Sequence, residues 1–202
     1  MCSTTQREYR PIKLTRPFLV VGLPRSRTCW LSTFLTYGGR RCEHEPSLLW
    51  TDHEDLKAWL TLRQGASDSM MTWLAHEAKR LWPTLAIVVV RRNLTDVLQS
   101  ISKLPYEPSA YLPDYLRRLD ERLDQIEDDL GCYSVSFDSL DSPTVCGAIF
   151  SKCLDEHMPV AWWERWRDKN VQADIPNTLR VLRENEAGVR AVYGERHWEM
   201  WG

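Results

Sequence analysis

The sequence predicts a single-domain α/β fold of three layers, with a central parallel sheet of four to five strands. Three observations carry that expectation. Residues 18–22 and 85–90 are continuous apolar runs, as expected of strands buried on both faces. Helical periodicities alternate with the strand-like runs, and such alternation predicts parallel strands joined by crossover helices. No internal repeat, linker or low-complexity tract divides the 202 residues, a length that suits one domain with a full core.

Taken in order, the first strand is Phe-Leu-Val-Val-Gly at 18–22. It passes through Leu-Pro-Arg-Ser-Arg-Thr into a helical pattern over 28–36. There Trp30, Leu31, Phe34 and Leu35 share one face, and Gly38-Gly39 supplies a stop. A short strand is expected at 40–43. Leu56, Trp59, Leu60 and Arg63 repeat helically over 54–63. Met70, Met71, Trp73, Leu74, Ala78 and Leu81 do the same over 67–81, ending before Pro83. The strand at 85–90 runs into Arg91-Arg92, and Asn93 is a natural N-cap with Asp96 as its capping partner. Residues 113–129 read as a charged helix with Leu116, Leu119, Leu123 and Ile126 as its buried stripe. A weak strand at 132–137 and a helix at 143–154 follow. The C-terminal part, 156–202, reads as helical, with Trp162, Trp163 and Trp166 on one face and an aromatic tail expected to be core.

Composition excludes several classes of function. A net charge of −2 and a pI near 6.2 argue against a surface built for nucleic acid or anionic membrane. No apolar run approaches the roughly 20 residues of a membrane span. The N-terminal stretch lacks a long apolar core, which predicts no signal peptide and a cytoplasmic protein. The six cysteines stand at unrelated spacings with no Cys-x-x-Cys pair, so reduced cysteine and no metal site are expected. Any anion site must then be a local concentration of Arg and backbone N–H groups.

Two such concentrations are visible. In parallel α/β sheets, ligands bind beyond the carboxyl ends of the strands. The loop after the first strand offers backbone amides, Arg25 and Arg27, which grip oxygens bidentately, and the hydroxyls of Ser26 and Thr28. It is not the usual triphosphate loop: Arg27, Thr28 and Cys29 stand where that motif needs Gly, Lys and Ser or Thr. The second concentration follows the strand at 85–90. Ser100 lies seven residues beyond Asn93, close to two helical turns, so Arg92 and Ser100 are expected to look into one cleft. Two anion sites on neighbouring strand ends suit a nucleoside with phosphates at both ends.

Pro24-Arg25-Ser26-Arg27-Thr28-Cys29-Trp30-Leu31 resembles the 5′-phosphosulfate loop of sulfotransferases. Arg92-Asn93-Leu94-Thr95-Asp96-Val97-Leu98-Gln99-Ser100 is similar to the family's 3′-phosphate element in its Arg-to-Ser spacing. Tyr133-Ser134-Val135-Ser136-Phe137-Asp138-Ser139-Leu140 looks like its later strand. The likeness covers about residues 16–155, and it departs from the family at Arg27, which replaces a Gly, and at Cys29, which replaces a hydroxyl residue. The Gly-rich Arg-Lys-Gly segment of cytosolic members has no counterpart.

The resemblance implies a P-loop-like phosphosulfate-binding loop and transfer of a sulfuryl group from 3′-phosphoadenosine 5′-phosphosulfate (PAPS), without a metal. It places Arg25 on the transferring group and the leaving phosphate. Ser26, Arg27, Thr28 and Cys29 fall on the 5′-phosphate, and Arg92 and Ser100 on the 3′-phosphate. Trp30 falls where some members stack an aromatic on adenine, although its helical register suits core equally well.

The acceptor's proton needs a base. Arg41-Cys42-Glu43-His44-Glu45-Pro46 follows the second expected strand, and in the tyrosylprotein branch a catalytic Glu stands three after the Cys, which is Glu45 here, with His44 as second candidate. A small-molecule, sugar or peptide acceptor is implied. Two alternatives stay open at this stage: a nucleotide kinase or hydrolase of similar fold, and a catalytically silent nucleotide-binding module.

Overall fold

The structure, a computed structural model, describes residues 14–104, 108 and 110–171. The aromatic tail, Cys2 and the helical reading beyond residue 171 lie outside the described residues.

Strand β1, Phe18–Gly22, is apolar at every position because both of its faces are covered. Its alternate residues feed two separate cores. Leu19 and Val21 point into one, and Phe18 and Val20 into the other. The remaining strands are β2 Cys42–His44, β3 Gly65–Ser67, β4 Ala86–Arg91 and β5 Tyr133–Ser136. All pairings are parallel, in the order β2-β3-β1-β4-β5. Ile87 and Val89 of β4 face the first core, and Val88 and Val90 face the second.

Seven helices among the described residues cover the sheet: α1 Thr28–Phe34, α2 His53–Leu62, α3 Ala75–Leu81, α4 Leu94–Ile101, α5 Leu112–Leu130, α6 Pro143–Leu154 and α7 Val160–Trp166. The first core packs α2 through α5 on one face, with Leu116, Leu119, Leu123 and Ile126 forming the expected stripe of α5. The second packs α1, α6 and α7 on the other, through Leu31, Phe34, Phe150 and Trp163. A three-layer α/β architecture results. No helix among the described residues is long and apolar enough to cross a membrane.

The expected helix over 67–81 is a correction. The chain there divides into the end of β3, a 3-10 turn at Met70–Thr72 and the shorter α3. Gly65-Ala66-Ser67 carries no β-branched or large apolar residue, so it lacks the usual strand signal. Tertiary packing decides it instead: the Phe18 ring covers Gly65 where any Cβ would fall, while β1 and β2 pair with β3 from both sides. The consequence is topological. β3 separates β2 from β1, and its carboxyl end delivers Asp68 to the same edge as the loops after β1 and β2.

Candidate functional site

At the carboxyl edge, β1 ends in Gly22, where a Cβ would meet the Val90 carbonyl oxygen at 2.7 Å. Only glycine permits so close an approach of the two strand ends. The loop that follows turns through two left-handed residues, Arg25 (φ 67°) and Arg27 (φ 61°). Ser26 between them is fully buried, and its hydroxyl has no hydrogen-bond partner among the described residues. Arg27 occupies the N-cap of α1 without capping it; its guanidinium reaches Asp141 at 2.7 Å and lies 5.1 Å from the centre of the Phe137 ring.

The two arginines that end β4 part company. Arg91 turns to α5, pairing with Asp124 at 2.7 Å and Asp120 at 3.2 Å. Arg92 turns to the β1 loop: its guanidinium donates to the Arg25 carbonyl and sits 4.1 Å from the Phe137 ring centre. Burial lowers its pKa from the ordinary arginine value, Asp96 and Asp138 oppose that shift, and Arg25 and Arg27 add to it. Asn93 accepts from the Thr95 amide at 2.8 Å and starts α4 as expected. Two turns along α4, Ser100 Oγ accepts from Arg25 Nε at 3.2 Å. Arg92 and Ser100 therefore meet through Arg25, one at its carbonyl and the other at its side chain. Three guanidinium groups gather at this corner, two of them on Phe137.

Trp30 is buried, stacked on Phe34 with ring centres 4.7 Å apart, and donates its indole N–H to the Trp166 carbonyl at 2.9 Å. Thr28, also buried, places its hydroxyl 3.4 Å from His44 Nε2. Cys29 is half-buried, and burial, with the Glu45 charge second, raises its thiol. It stays a protonated thiol at neutral pH.

Beside this corner lie the ends of β2 and β3. Glu45 turns left-handed (φ 47°), its amide donates to the Ser67 carbonyl at 3.0 Å, and Ser69 Oγ donates to Glu45 Oε1 at 2.9 Å. His44 Nε2 stands 4.0 Å from the same carboxylate oxygen. Burial lowers the His44 pKa, against the nearby Asp68 charge, so the imidazole is neutral at physiological pH. Burial raises Glu45, against the Ser69 hydrogen bonds. Both side chains line a groove of about 540 Å³, together with Thr33, Glu43, Leu49 and Trp166. A second cavity of about 550 Å³, at the end of α7, shares Trp166 with that groove and touches none of Arg25, Arg27 and Arg92.

Three residues of this region were not singled out by the sequence reading: Phe137, Asp141 and Asp68. Phe137 and Asp141 belong to the 3-10 turn at Phe137–Asp141, whose packing on the arginines is long-range. Asp68 was hidden inside a presumed helix, and its signal is the acid that directly follows a strand on the ligand edge. The site as a whole joins a cationic corner for an anion to a carboxylate and a neutral imidazole that can take a proton. Among the described residues, no group of His, Cys, Asp and Glu could hold a metal ion. No protein-family model matches the chain, and no curated protein matches it.

Proposed function

We propose that this protein is a sulfotransferase that moves a sulfuryl group from PAPS to a hydroxyl or amine acceptor. One observation carries the reading. The basic segments that follow β1 and β4 converge, Arg25 bonding Ser100 and Arg92 bonding the Arg25 backbone, so that two anion-binding elements act on one ligand. The Ser26 hydroxyl and the Arg92 Nε–H, both without a partner among the described residues, fit the phosphate oxygens of such a donor.

In this reading the loop 22–28 is P-loop-like. Arg25, Ser26, Arg27, Thr28 and Cys29 belong to the 5′-phosphosulfate, and Arg92 and Ser100 to the 3′-phosphate. Trp30 belongs to the core that backs the loop. PAPS supplies a sulfuryl group on a phosphate leaving group; the acceptor oxygen or nitrogen bonds to sulfur as the sulfur–phosphate oxygen bond breaks. Arg25 stabilises charge on the peripheral oxygens and the departing phosphate, as positioning and electrostatics dominate such transfers. Glu45 takes the acceptor's proton, with His44 beside it. The groove that both residues line receives the acceptor, a small molecule, sugar or peptide. A cytoplasmic location belongs to the same proposal, on the cysteine pattern.

The test is thermal unfolding with adenosine 3′,5′-bisphosphate, with magnesium-ATP and with 5′-AMP. A ligand at about a hundred times its Kd stabilises a fold by roughly 2.7 kcal/mol. A shift with the bisphosphate alone supports the reading and justifies an acceptor screen with PAPS. A shift with magnesium-ATP alone points to a kinase or hydrolase, and no shift with any points to a silent module.

A further inference from the structure

Asp68 has no place in the transfer described above, yet few carboxylates could be more deliberately held. It is fully buried. Its Oδ1 accepts the amides of Met70 at 2.8 Å and Met71 at 3.0 Å, and its Oδ2 accepts the Ser47 amide at 2.9 Å. Its own amide donates to the Val20 carbonyl of β1 at 2.9 Å. One carboxylate thus ties the turn after β2 to the turn after β3 and hangs both on the central strand.

The residue this arrangement serves is Glu45. Glu45 stands two positions before Ser47, in a left-handed conformation that a non-glycine residue holds only when its surroundings impose it. The Ser67 carbonyl holds the Glu45 amide from one side, and the Asp68–Ser47 bond holds the chain just beyond it. Ser69, the neighbour of Asp68, bonds the Glu45 carboxylate directly. Beside the Leu48 amide, which donates to the Glu45 carbonyl at 3.3 Å, the hydrogen bonds that hold Glu45 come from the segment 67–69.

We propose that Asp68 is a positioning residue for Glu45, fixing the turn that presents its carboxylate, and that the two carboxylates act on one proton as a pair. That Glu45 receives an acceptor's proton rests on the sulfotransferase reading; the pairing of the two acids does not. Two like charges in a poorly solvated site do not both ionise freely, and the second deprotonation is driven upward. Burial, with the Glu45 charge second, pushes Asp68 up to about 6. By reciprocity, an ionised Asp68 makes Glu45 a stronger base. The other titratable groups facing the pair are His44, at the end of β2, and Cys29, on α1. Both are neutral at pH 7, and the 3-10 turn at Met70–Thr72 contributes none.

Carboxyl carbon NMR titration of the full chain decides the pairing. In the wild type, the Asp68 and Glu45 resonances are each expected to show two inflections, one from each acid. In Glu45→Gln, which removes the charge that raises it, Asp68 is expected to titrate once, lower by about one pH unit, the size expected of a coupled pair. Asp68→Asn, which loosens the turn that carries Glu45, should lower kcat for sulfuryl transfer at saturating PAPS and leave the Kd for adenosine 3′,5′-bisphosphate unchanged. Independent single inflections in the wild type overturn the proposal. So does an unmoved Asp68 midpoint in Glu45→Gln, or an unmoved kcat in a folded Asp68→Asn. If Asp68→Asn does not fold, the titrations alone decide. If adenosine 3′,5′-bisphosphate does not bind, the sulfotransferase reading falls, while the titration still settles the pair.

Discussion

Arg25 Nε donates to Ser100 Oγ at 3.2 Å, joining the loop after β1 to the second turn of α4 across 75 residues of sequence. The bond fixes where the Arg25 guanidinium can point, and Arg92, on the Arg25 carbonyl, fixes the backbone beneath it. An arginine held from both ends is preorganised, and preorganised charge is most effective where charge develops in the transition state.

Arg25→Ala is therefore expected to lower kcat for sulfuryl transfer by about 10²–10³-fold. The Kd for adenosine 3′,5′-bisphosphate should rise by less than about tenfold, because the interaction strengthens as the reaction proceeds. Steady-state kinetics beside calorimetric binding checks this, and equal losses in both would remove the transition-state role.

Arg92→Ala should act on binding instead. A hydrogen-bonded ion contact is worth about 1.5–3 kcal/mol, so affinity for the bisphosphate should fall about tenfold to a hundredfold. Affinity for 5′-AMP should fall less, since Arg92 reaches that site only through the Arg25 backbone. A matching loss for both nucleotides would place Arg92 on the shared 5′-phosphate.

Much of this framework was legible before the structure. β1 and β4 announce themselves by unbroken apolar runs, α5 by its stripe, and α4 by Asn93 at its cap. Arg25, Arg92 and Ser100 were legible because their positions follow from strand ends and helix register. What escaped was set by contacts distant in sequence. Gly65-Ala66-Ser67 is a strand because Phe18 and two neighbours make it one. Asp68 gained its place only with that strand, and Phe137 gained its two arginines only when β5 paired with β4.

The stability of β3 follows from the same contact. Gly65→Ala puts a methyl carbon inside the space of the Phe18 ring, at the centre of the sheet. Overpacking of this kind costs about 1–3 kcal/mol, and the loss should appear as a lower denaturation midpoint with an unchanged slope. Phe18→Leu in the same chain should recover part of it. No recovery would mean that the strain lies in the backbone rather than under the ring.

Glu45→Gln should slow transfer by about 10²–10⁴-fold and spare bisphosphate binding. Burial raises the Glu45 pKa, so the base is ionised only above a midpoint higher than that of an ordinary glutamate. The wild-type rate should then rise with pH through that raised midpoint and fall as pH drops below it. Glu45→Gln should lose this limb. If rate and limb both survive the substitution, the proton acceptor is His44, whose lowered pKa leaves it neutral and able to accept.

Arg27 stands in a left-handed conformation with its guanidinium on Asp141, and both facts bear on whether it helps or hinders the donor. The conformation costs about 1–2 kcal/mol for a residue with a Cβ, a cost that glycine avoids. The ion pair returns little, since the Asp141 side chain is 69% exposed and exposed pairs contribute about 0–1 kcal/mol. Arg27→Gly should consequently be neutral to stabilising, by up to about 1 kcal/mol. Binding separates the two roles. Asp141 competes with an incoming phosphate for the same guanidinium, so Asp141→Asn should tighten the bisphosphate severalfold at low salt, with less gain as salt screens the charges. Arg27→Gly should cancel that gain when combined with Asp141→Asn, because the two substitutions act through one contact. A gain that persists in the double variant would assign the effect of Asp141 to its charge alone, and Arg27 would then be a residue that shapes the loop without touching the ligand.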